Sequence, residues 1–458
     1  MDANGNDVQG QSFELPAGAS IDEDNGDFVV KDSSGTVVFR RNESANEWQF
    51  EDADITGVSS LSTEKLNAVY QASEVISGLQ SIHDAFDKAQ ADSGAEVWIV
   101  GSGTHTIPVY NTDLTDIDVQ GFGDVTLASS DGRILDLPNA TNLNFNAIAF
   151  DGPLRFDGPP NSVQFHDCVH KGDVQWGRGS GTMLNCGHYG CDFVSGRITL
   201  FTKSGGNSGN GFEAVDCTHS SSSNLLFMRT DSGLRHKGLR VDGVNLGKNS
   251  LGINLTDASV DWSRISVRSN NTGTTSRVVL EGYDSDVDAV MQNGYVHLLG
   301  GRDCDVEVDI EDTYGNSGVI VELVEPSDYN GNDGSSHTIR GHISGCAEAG
   351  VHLLGGTHCN LTGLTVKQNS RDGAGDWSGI QFDEITIDGS TYGSKNNIVS
   401  GVQAYDRLSS PMQEYGIEDV GTSDYNHVLG GLVAPNRTGS VSMNTNSTVS
   451  GDVITTSN

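Results

Sequence analysis

The sequence predicts an all-β protein built mainly as a right-handed parallel β-helix. Short β-branched runs such as Val37–Phe39 and Val319–Val321 alternate with Gly, Asn, Asp and Ser turns along most of the 458 residues. Strand starts also recur at intervals of a few tens of residues, which is the spacing of stacked coils. A large β-sandwich is the alternative all-β fold, but it does not explain this recurrence.

Residues 1–58 are predicted to form a small N-terminal β-module. Phe28–Val30 and Thr36–Phe39 flank the polar turn Asp32–Gly35 and would pair as a hairpin, with Trp48–Phe50 as a third strand. A mobile tail with residual β character is the alternative for this segment.

Residues 59–94 are predicted to form a helical neck. Apolar residues between Leu66 and Phe86 are spaced by threes and fours, and Ser62 can serve as the N-cap. Gly78 is a poor helix former, so two shorter helices are an alternative. The narrow apolar stripe fits a coiled coil between subunits, and packing on the chain's own strands explains it equally well.

Residues 95–458 are predicted to be the parallel β-helix. The frame Val-His-Leu-Leu-Gly-Gly occurs at Val296–Gly301 and at Val351–Gly356, and in both places a cysteine follows after two further residues. Units that carry only short strands cannot bury a face alone and must stack. Other strand starts follow a glycine or an asparagine, at Gly294, Gly318, Gly350, Gly379, Gly416, Asn360, Asn397, Asn426 and Asn446.

The charge balance excludes some functional classes. The chain has 26 Lys and Arg against 62 Asp and Glu, a net charge of −36, which argues against nucleic-acid binding through phosphate neutralisation. A halophilic source is the simplest explanation, because concentrated salt screens the repulsion between carboxylates. An acidic surface that attracts a basic partner is the alternative. The N-terminus has no basic and apolar leader, and no long apolar stretch follows, so neither Sec export nor membrane insertion is expected.

The seven cysteines are predicted to be free and mostly buried thiols. Three of them lie in a repeated Asp/Asn-Cys-x-His pattern, at Asp167–His170, Asn185–His188 and Asp216–His219. With Cys191 nearby, the pattern resembles the ligand inventory of a zinc site. The favoured interpretation is structural: Asp or Asn forms the turn, Cys points inward and His begins the next strand. No metal is assigned to these residues.

Three segments, Ser81–Ala89, Gly94–Ile99 and Gly103–Ile107, resemble the beginning of pectate-lyase-like β-helix proteins, and the Asp-Cys and Asn-Cys turns look like the coils of that family. The resemblance covers residues 75 to 455 and implies a short helix that caps the first coil. The chain departs from the enzymatic pectate lyases, because it has no clear match to their catalytic arginine and clustered calcium-binding aspartates.

The resemblance also implies a biological setting. Phage tailspikes and tail fibres commonly use this fold as a trimer behind a module that joins the virion. The order of module, neck and solenoid, with the acidic composition, is similar to virion proteins of haloarchaeal tailed viruses. It implies a homotrimeric virion-surface protein, assembled in the host cytoplasm, that joins other virion proteins through residues 1–58 and meets host-surface glycan or glycoprotein through residues 95–458. A capsid protrusion or structural joint is an alternative.

A polysaccharide-degrading β-helix enzyme, either a glycoside hydrolase or a lyase, is the alternative from another class. Glycoside hydrolysis uses two carboxylates about 5–5.5 Å or about 6.5–9.5 Å apart, and stacked coils can supply such pairs. The catalytic candidates are Asp309, Glu311, Glu322 and Asp383. Because 62 acidic residues produce many such pairs by chance, a non-enzymatic role is favoured, and any activity would be that of a glycan depolymerase.

Aromatic side chains with polar neighbours are the candidates for sugar binding. Trp262, Trp377, Tyr392 and Tyr405 meet this description, and Asp376 lies in the Gly-rich loop before Trp377.

Asp328, Asn330 and Asn332 place oxygen atoms at alternating positions, as calcium loops do. The sixth position is Asp333 rather than Gly and the twelfth is Ile339 rather than Glu, so a long turn is favoured. The sequence therefore predicts no cofactor, with calcium as the alternative.

Overall fold

The structure is a computed structural model. It describes residues 20–24, 27–31, 37–42, 47–49, 69–72, 82–91, 95–100, 102–177, 183–202, 211–230, 235–270, 275–324 and 336–454. The chain divides into two compact units, Met1–Leu66 and Asn67–Asn458.

The N-terminal unit contains an antiparallel sheet with the strand order β1-β2-β3-β4. The four strands are β1 (Ser20–Asp24), β2 (Asp27–Lys31), β3 (Val37–Asn42) and β4 (Glu47–Gln49). The predicted hairpin is confirmed, because β2 and β3 pair antiparallel, and the predicted third strand pairs with β3. The structure adds β1, which pairs with the outer edge of β2.

The second unit contains one described helix and the remaining described strands. They are β5 (Val69–Ala72), α1 (Ile82–Ala91), β6 (Ala95–Val100), β7 (Gly103–Ile107), β8 (Leu114–Phe122), β9 (Val125–Ser129), β10 (Leu135–Leu137), β11 (Ala140–Asn146), β12 (Ala149–Asp151), β13 (Leu154–Phe156), β14 (Asn161–His166), β15 (Val169–His170), β16 (Val174–Trp176), β17 (Gly187–Tyr189), β18 (Asp192–Phe193), β19 (Ile198–Thr202), β20 (Glu213–Val215), β21 (Thr218–His219), β22 (Asn224–Thr230), β23 (Arg235–Lys237) and β24 (Arg240–Leu246). The series continues with β25 (Gly252–Asp261), β26 (Arg264–Asn270), β27 (Ser276–Tyr283), β28 (Asp286–Gln292), β29 (Gly294–Leu299), β30 (Asp305–Glu311), β31 (Val319–Glu322), β32 (Thr338–Ser344), β33 (Val351–Leu354), β34 (Asn360–Thr362), β35 (Thr365–Lys367), β36 (Ile380–Ile387), β37 (Ser390–Gly393), β38 (Ile398–Tyr405), β39 (Tyr415–Asp419), β40 (His427–Val433), β41 (Gly439–Ser442) and β42 (Thr448–Ile454).

These strands coil into a parallel β-solenoid of about 14 turns in the described part of the chain. Sheet 1 takes one strand from each turn, in the order β10-β13-β16-β19-β22-β25-β27-β29-β31-β33-β36-β39-β41. Sheet 2 runs in parallel pairs from β6 through β8, β11, β14, β17, β20 and β24 to β26, β28, β30 and β32. The predicted all-β solenoid is therefore confirmed.

The intervals that predicted stacked coils are also explained. Strands β29, β31, β33, β36 and β39, which begin beside the predicted glycines, are successive neighbours in sheet 1. Strands β34, β38, β40 and β42, which begin at or beside the predicted asparagines, are successive neighbours in sheet 2. Inside the solenoid, the Nδ2 of Asn397 donates to the Oδ1 of Asn426 at 2.9 Å. The asparagines therefore form part of a hydrogen-bonded ladder that links coils.

The predicted helix over the neck is wrong at Val69–Ala72, which form strand β5. This strand pairs in parallel with β6, so its backbone hydrogen bonds go to the sheet and override the helical spacing of its residues. Helix α1 covers only Ile82–Ala91, and its buried face consists of Ile82, Ala85, Phe86 and Ala89. Because this face joins the core of the solenoid, α1 packs on the chain's own first strands. Residues 62–68 and 73–81 lie outside the described part.

The Asp/Asn-Cys-x-His repeats form turns, as predicted. Asp167, Asn185 and Asp216 have φ of 51°, 51° and 52°, a left-handed conformation that Asp and Asn tolerate. The next residue in each repeat is a buried cysteine, and the histidine two positions further on is fully buried. All seven cysteines are free and buried, which confirms that prediction.

One continuous apolar core fills the solenoid from Ile82 to Val433. Aromatic rings stack between coils: Phe145 lies on Phe165 with ring centroids 4.9 Å apart, and Phe156 lies on Trp176 at 4.4 Å. In strands such as β30, inward apolar residues alternate with outward polar ones. The outward positions are therefore free to carry recognition or chemistry.

Candidate functional site

A groove of about 640 Å³ lies on the outer face of sheet 2 in its first coils. It belongs to a longer surface, here called the polar strip, formed by outward side chains of β6, β8, β11, β14, β17, β20 and β24. Strand register places these side chains in two columns, Glu96, Asp118, Asn144, Gln164, Glu213 and Arg240 in one, and Trp98, Gln120, Asn146, His166, Tyr189 and Asp242 in the other.

Contacts between neighbouring side chains fix the groove end of the polar strip. The indole Nε1 of Trp98 donates to Glu96 at 3.0 Å, and the ring of Trp98 meets Phe122 edge-on with centroids 5.1 Å apart. The Nδ2 of Asn144 donates to Asp118 at 2.5 Å. Glu96 and Asp118 are register partners on adjacent strands, which lie about 4.8 Å apart. The groove thus holds two ordered carboxylates beside an aromatic pair.

The other end of the polar strip is aromatic and charged. The rings of His166 and Tyr189 stack at 4.9 Å, and the hydroxyl of Tyr189 donates to Glu213 at 3.2 Å. Burial and the neighbouring Glu213 carboxylate raise the pKa of Tyr189 to about 12. Gly187 lies between Gln164 and Glu213 in the first column, and a Cβ there would come within 3.1 Å of the Tyr189 hydroxyl and 2.8 Å of the Glu213 carbonyl oxygen. The glycine leaves the space that this contact needs.

The residue types of the polar strip suit a sugar chain. Aromatic rings present an apolar face to the C–H surface of a sugar ring. The amides of Gln120, Asn144, Asn146 and Gln164 each offer both donors and an acceptor to hydroxyl groups. Six strand spacings separate β6 from β24, so the strip extends about 29 Å. That length suits an extended polymer rather than one small molecule.

A second candidate site lies on the outer face of sheet 1 near its C-terminal end. This acidic cluster consists of His352, Ser378, Gln381, Asp383 and Glu418. Asp383 accepts hydrogen bonds from His352 Nε2 at 3.2 Å, from Gln381 Nε2 at 3.1 Å and from the Glu384 amide at 2.8 Å. The hydroxyl of Ser378 donates to Glu418 at 2.6 Å.

The two carboxyls of the acidic cluster have opposite pKa shifts. Burial alone would raise the pKa of Asp383, but hydrogen bonds from His352, the Glu384 amide and Gln381 outweigh it and hold the pKa below its usual value. Burial raises the pKa of Glu418, and repulsion from Glu414 and Asp383 adds to this shift. Glu418 pairs with Gln381, two residues before Asp383, so Asp383 and Glu418 are diagonal neighbours whose Cα atoms lie about 8 Å apart.

The structure brings some of the predicted catalytic residues together and separates others. Glu322 and Asp383 share the outer face of sheet 1, with Leu354 between them in the register, and Glu322 forms a hydrogen bond with His297 Nε2 at 2.8 Å. Asp309 and Glu311 are exposed on β30 in sheet 2. Asp309 and Glu311 share one outward face, whereas Glu322 lies on the other sheet, so the structure does not bring Asp309 and Glu322 together.

The predicted aromatic binders do not form one surface. Trp377 lies beside the acidic cluster, with its ring 5.2 Å from His352, and the adjacent Asp376 is exposed. Trp262 is 64% exposed at a corner, where the ammonium of Lys237 lies 5.2 Å from its ring. Half-buried Tyr392 lies in the β36–β37 hairpin, and half-buried Tyr405 has the Arg407 guanidinium 4.8 Å above its ring. Trp377 alone of these aromatics joins a candidate site.

Sequence reasoning missed the polar strip for a structural reason. Its members are single polar residues, one or two in each short strand, separated by 20 or more positions in the sequence. Register alone aligns them. The detectable feature was the alternation in β6 and β8, where Glu96 and Trp98, and then Asp118 and Gln120, occupy the outward positions.

The predicted calcium candidates Asp328, Asn330 and Asn332 lie outside the described residues. In the part of the chain that the structure describes, no helix has the length and apolar character needed to cross a membrane.

No protein-family profile and no curated protein matches the chain by sequence. Solved structures with a similar architecture include phage tailspikes and glycan-processing enzymes. Tailspike protein 3 of bacteriophage CBA120 has a TM-score of 0.47 and 12% identity, over 94% of this chain and 74% of the tailspike. The catalytic domain of a GH87 α-1,3-glucanase has a TM-score of 0.46 and 12% identity, over 80% of this chain and 68% of the glucanase chain.

The A-module of a mannuronan C-5 epimerase from Azotobacter vinelandii has a TM-score of 0.34 and 14% identity, over 82% of this chain and 94% of the module. The solved structures similar to this chain thus include both tailspikes and glycan-processing enzymes. At these scores they transfer no residue role to this chain.

Proposed function

We propose that the chain is a glycan-binding β-solenoid protein that attaches a virion to a glycosylated host surface. The polar strip carries the proposal, because it combines ordered carboxylates, four amide side chains and aromatic rings along one continuous outward face. Such a face can bind several successive sugar units, each weakly, and so gain affinity over its length.

The virion setting rests on the sequence. The N-terminal β-module precedes the solenoid, and the net charge of −36 suits a protein of a halophilic virus. In this proposal the module joins the virion, the solenoid is right-handed, and three chains associate as a tail fibre or spike. The mass of the full chain in solution tests the trimer, and a stable monomer would refute that part of the proposal.

The binding proposal is tested with the full-length protein and its variants on halophilic archaeal cells and on polysaccharide extracted from them, in concentrated salt. Trp98→Ala removes the aromatic face of the groove, and we expect at least a tenfold weaker binding, about 1.4 kcal/mol. Trp262→Ala removes an exposed indole outside the polar strip and is the matched control, with unchanged binding expected.

Equal losses in the two tryptophan variants would contradict binding through the polar strip. Absence of binding by the wild-type protein would favour a capsid protrusion or structural joint instead.

The acidic cluster supports a second candidate function, glycan cleavage. Opposite pKa shifts in two nearby carboxyls are the usual division between an ionised base and a protonated acid. Asp383 and Glu418 are diagonal neighbours with Cα atoms about 8 Å apart, so their side chains can reach the carboxyl separation of about 6.5–9.5 Å that inverting hydrolysis uses. In this alternative Glu418 is the general acid and Asp383 activates water.

Release of reducing ends from the same polysaccharide tests cleavage. Asp383→Asn and Glu418→Gln should abolish release, whereas Asp309→Asn, an exposed carboxylate on the other sheet, should leave it unchanged. Loss of release in Asp118→Asn instead would place the chemistry in the polar strip. No release by the wild type across salt and pH would refute enzymatic activity and leave the binding proposal standing.

A further inference from the structure

Two histidines and three cysteines meet inside the solenoid, in coils beneath the polar strip. This thiol–imidazole cluster consists of Cys168, His170, His188, Cys191 and Cys217, and all five residues are at most 1% exposed. Neither the polar strip nor the acidic cluster uses them.

The coil register assembles the cluster. Val169, Asp192 and Thr218 are register partners in β15, β18 and β21, so the cysteines that precede them, Cys168, Cys191 and Cys217, stack at one corner. His170 follows Cys168 by two positions and therefore points to the same inward side. His188 enters from β17, and its ring meets that of His170 edge-on with centroids 4.9 Å apart.

Burial of the two imidazoles at these positions is unfavourable for folding. No ring nitrogen of His170 or of His188 makes a hydrogen bond of normal geometry, the weakly polar Cys191 thiol is the polar group beside both rings, and both side chains are fully buried. A buried polar group left without a partner is strongly unfavourable.

Ring packing alone does not explain the choice of histidine. His170 stacks between Phe150 and Phe193, with ring centroids 5.5 Å and 4.7 Å away, and His188 stacks on Phe165 at 4.8 Å. Phenylalanine occupies both register positions beside His170 and one of the two beside His188, and it would fill these positions without unpaired nitrogens. The nitrogens therefore need another partner, and the adjacent thiols indicate which kind.

We propose that His170, His188 and Cys191 bind a thiophilic d¹⁰ metal ion, Zn²⁺ in the first instance, with the thiolate of Cys168 or Cys217 as the fourth ligand. One nitrogen from each imidazole and the Sγ of Cys191 lie within 4.8 Å of one another. A tetrahedral zinc with bonds of about 2.0–2.3 Å holds its ligands about 3.3–3.8 Å apart. Shifts of about an ångström therefore bring these three ligands to the spacing of a zinc site.

The consequence of the site is structural. With four protein ligands the coordination sphere is closed, which is the arrangement of a structural rather than a catalytic zinc. His170, His188 and Cys191 come from two successive coils, and Cys217 would add a third, so the ion would cross-link neighbouring coils of the solenoid below the polar strip. Because the cluster is fully enclosed, the ion enters during folding, and metal binding contributes to folding stability.

The test uses the full-length protein folded with and without Zn²⁺ and then freed of loosely bound metal. We expect about one zinc per chain in the wild type, and with Co²⁺ in its place the thiolate charge-transfer absorption and the visible bands of a tetrahedral site. Cys191→Ser should abolish both. Cys346→Ser, which changes a buried free thiol in a later coil, is the matched control and should retain both.

His188→Phe keeps the test decisive if Cys191→Ser fails to fold. The phenylalanine continues the column of Phe165 and removes two unpaired nitrogens, so without metal this variant should melt at or above the temperature of the wild type. Folding in the presence of Zn²⁺ should raise the Tm of the wild type above that of protein folded without it and leave the Tm of His188→Phe unchanged. The proposal would be overturned if the wild type held no metal or if His188→Phe still held it. A native disulfide among these cysteines would also overturn it.

Discussion

Removal of the charge of Asp383 should destabilise the protein at neutral pH and progressively less in acid. The side chain is 21% exposed and accepts three hydrogen bonds, from His352, Gln381 and the Glu384 amide. In Asp383→Asn one oxygen can still accept from the amide, but an NH₂ group then faces donors. Hydrogen bonds to a charged group contribute about 1.5–3 kcal/mol and neutral ones about 0.5–1.5 kcal/mol. We therefore expect a loss of about 2–4 kcal/mol.

The pH dependence follows from the lowered pKa of Asp383. A carboxyl whose folded-state pKa is depressed stabilises the protein above its unfolded pKa of about 3.9 and loses that contribution as the pH falls through the folded value. The difference between wild type and Asp383→Asn should thus be constant from about pH 7 to about pH 5 and shrink below about pH 4.

Glu418→Gln should behave in the opposite way. Because the pKa of Glu418 is raised in the folded protein, the protonated carboxyl stabilises the fold fully below the pKa of the unfolded state. This stabilisation is lost as the pH rises through the folded-state pKa. The glutamine variant should therefore be more stable than wild type at neutral pH and similar to it in acid.

Urea unfolding followed by tryptophan fluorescence measures both effects, because Trp377 lies beside His352. Asp309→Asn, an exposed carboxylate, should change stability by less than about 0.5 kcal/mol. Equal urea midpoints for Asp383→Asn and Asp309→Asn would refute this account of the acidic cluster. So would a stability difference between wild type and Asp383→Asn that is as large at about pH 3 as at neutral pH.

Three further predictions concern the solenoid itself. Gly341→Ala should lower the urea midpoint much more than Gly401→Ala does. Both glycines have positive φ, but a Cβ at Gly341 would lie 1.9 Å from the Val308 carbonyl oxygen, whereas a Cβ at Gly401 would have no atom within 4 Å. Equal midpoints for the two variants would contradict this packing. Phe165→Ala should cost about 3–5 kcal/mol, measured by the same assay, because the ring is fully buried between Phe145 and His188. The seven free cysteines should resist a thiol reagent in the native protein and all react in denaturant, because all are buried and burial raises several of their pKa values to about 12.

The fold was predictable from the sequence because the solenoid repeats its local rules in every coil. Each turn needs residues that accept a left-handed backbone, such as Asp167 and Asn185, and small inward residues such as Cys168. These requirements leave recurring Gly, Asn and Asp-Cys patterns at readable intervals. The helix over the neck was not predictable in the same way, because Val69–Ala72 pair with β6 and a tertiary contact outweighs helical spacing.

The candidate sites depend on register, which the sequence does not state. Glu96 and Asp118 are 22 positions apart in the chain and are direct neighbours in the sheet. Asp383 was a predicted candidate, but its partner Glu418 was not, because 35 residues and a hairpin separate them. The acidic composition also made this site hard to recognise, because the chain has 62 Asp and Glu residues. Only burial and hydrogen bonding distinguish the carboxyls of the acidic cluster from carboxyls on the hydrated surface.

The solenoid separates stability from recognition, and this separation makes the two candidate functions distinguishable. Inward side chains hold the coils together, so an outward substitution can change chemistry with little effect on the core. The polar strip lies on sheet 2 in the first coils and the acidic cluster on sheet 1 in the last, without a shared residue. A pure attachment protein should therefore lose binding with Trp98→Ala and show no sugar release in any variant. An enzyme that uses the acidic cluster should keep binding in Glu418→Gln while losing release. Because each substitution affects a different sheet, one pair of variants assigns the function without a known receptor.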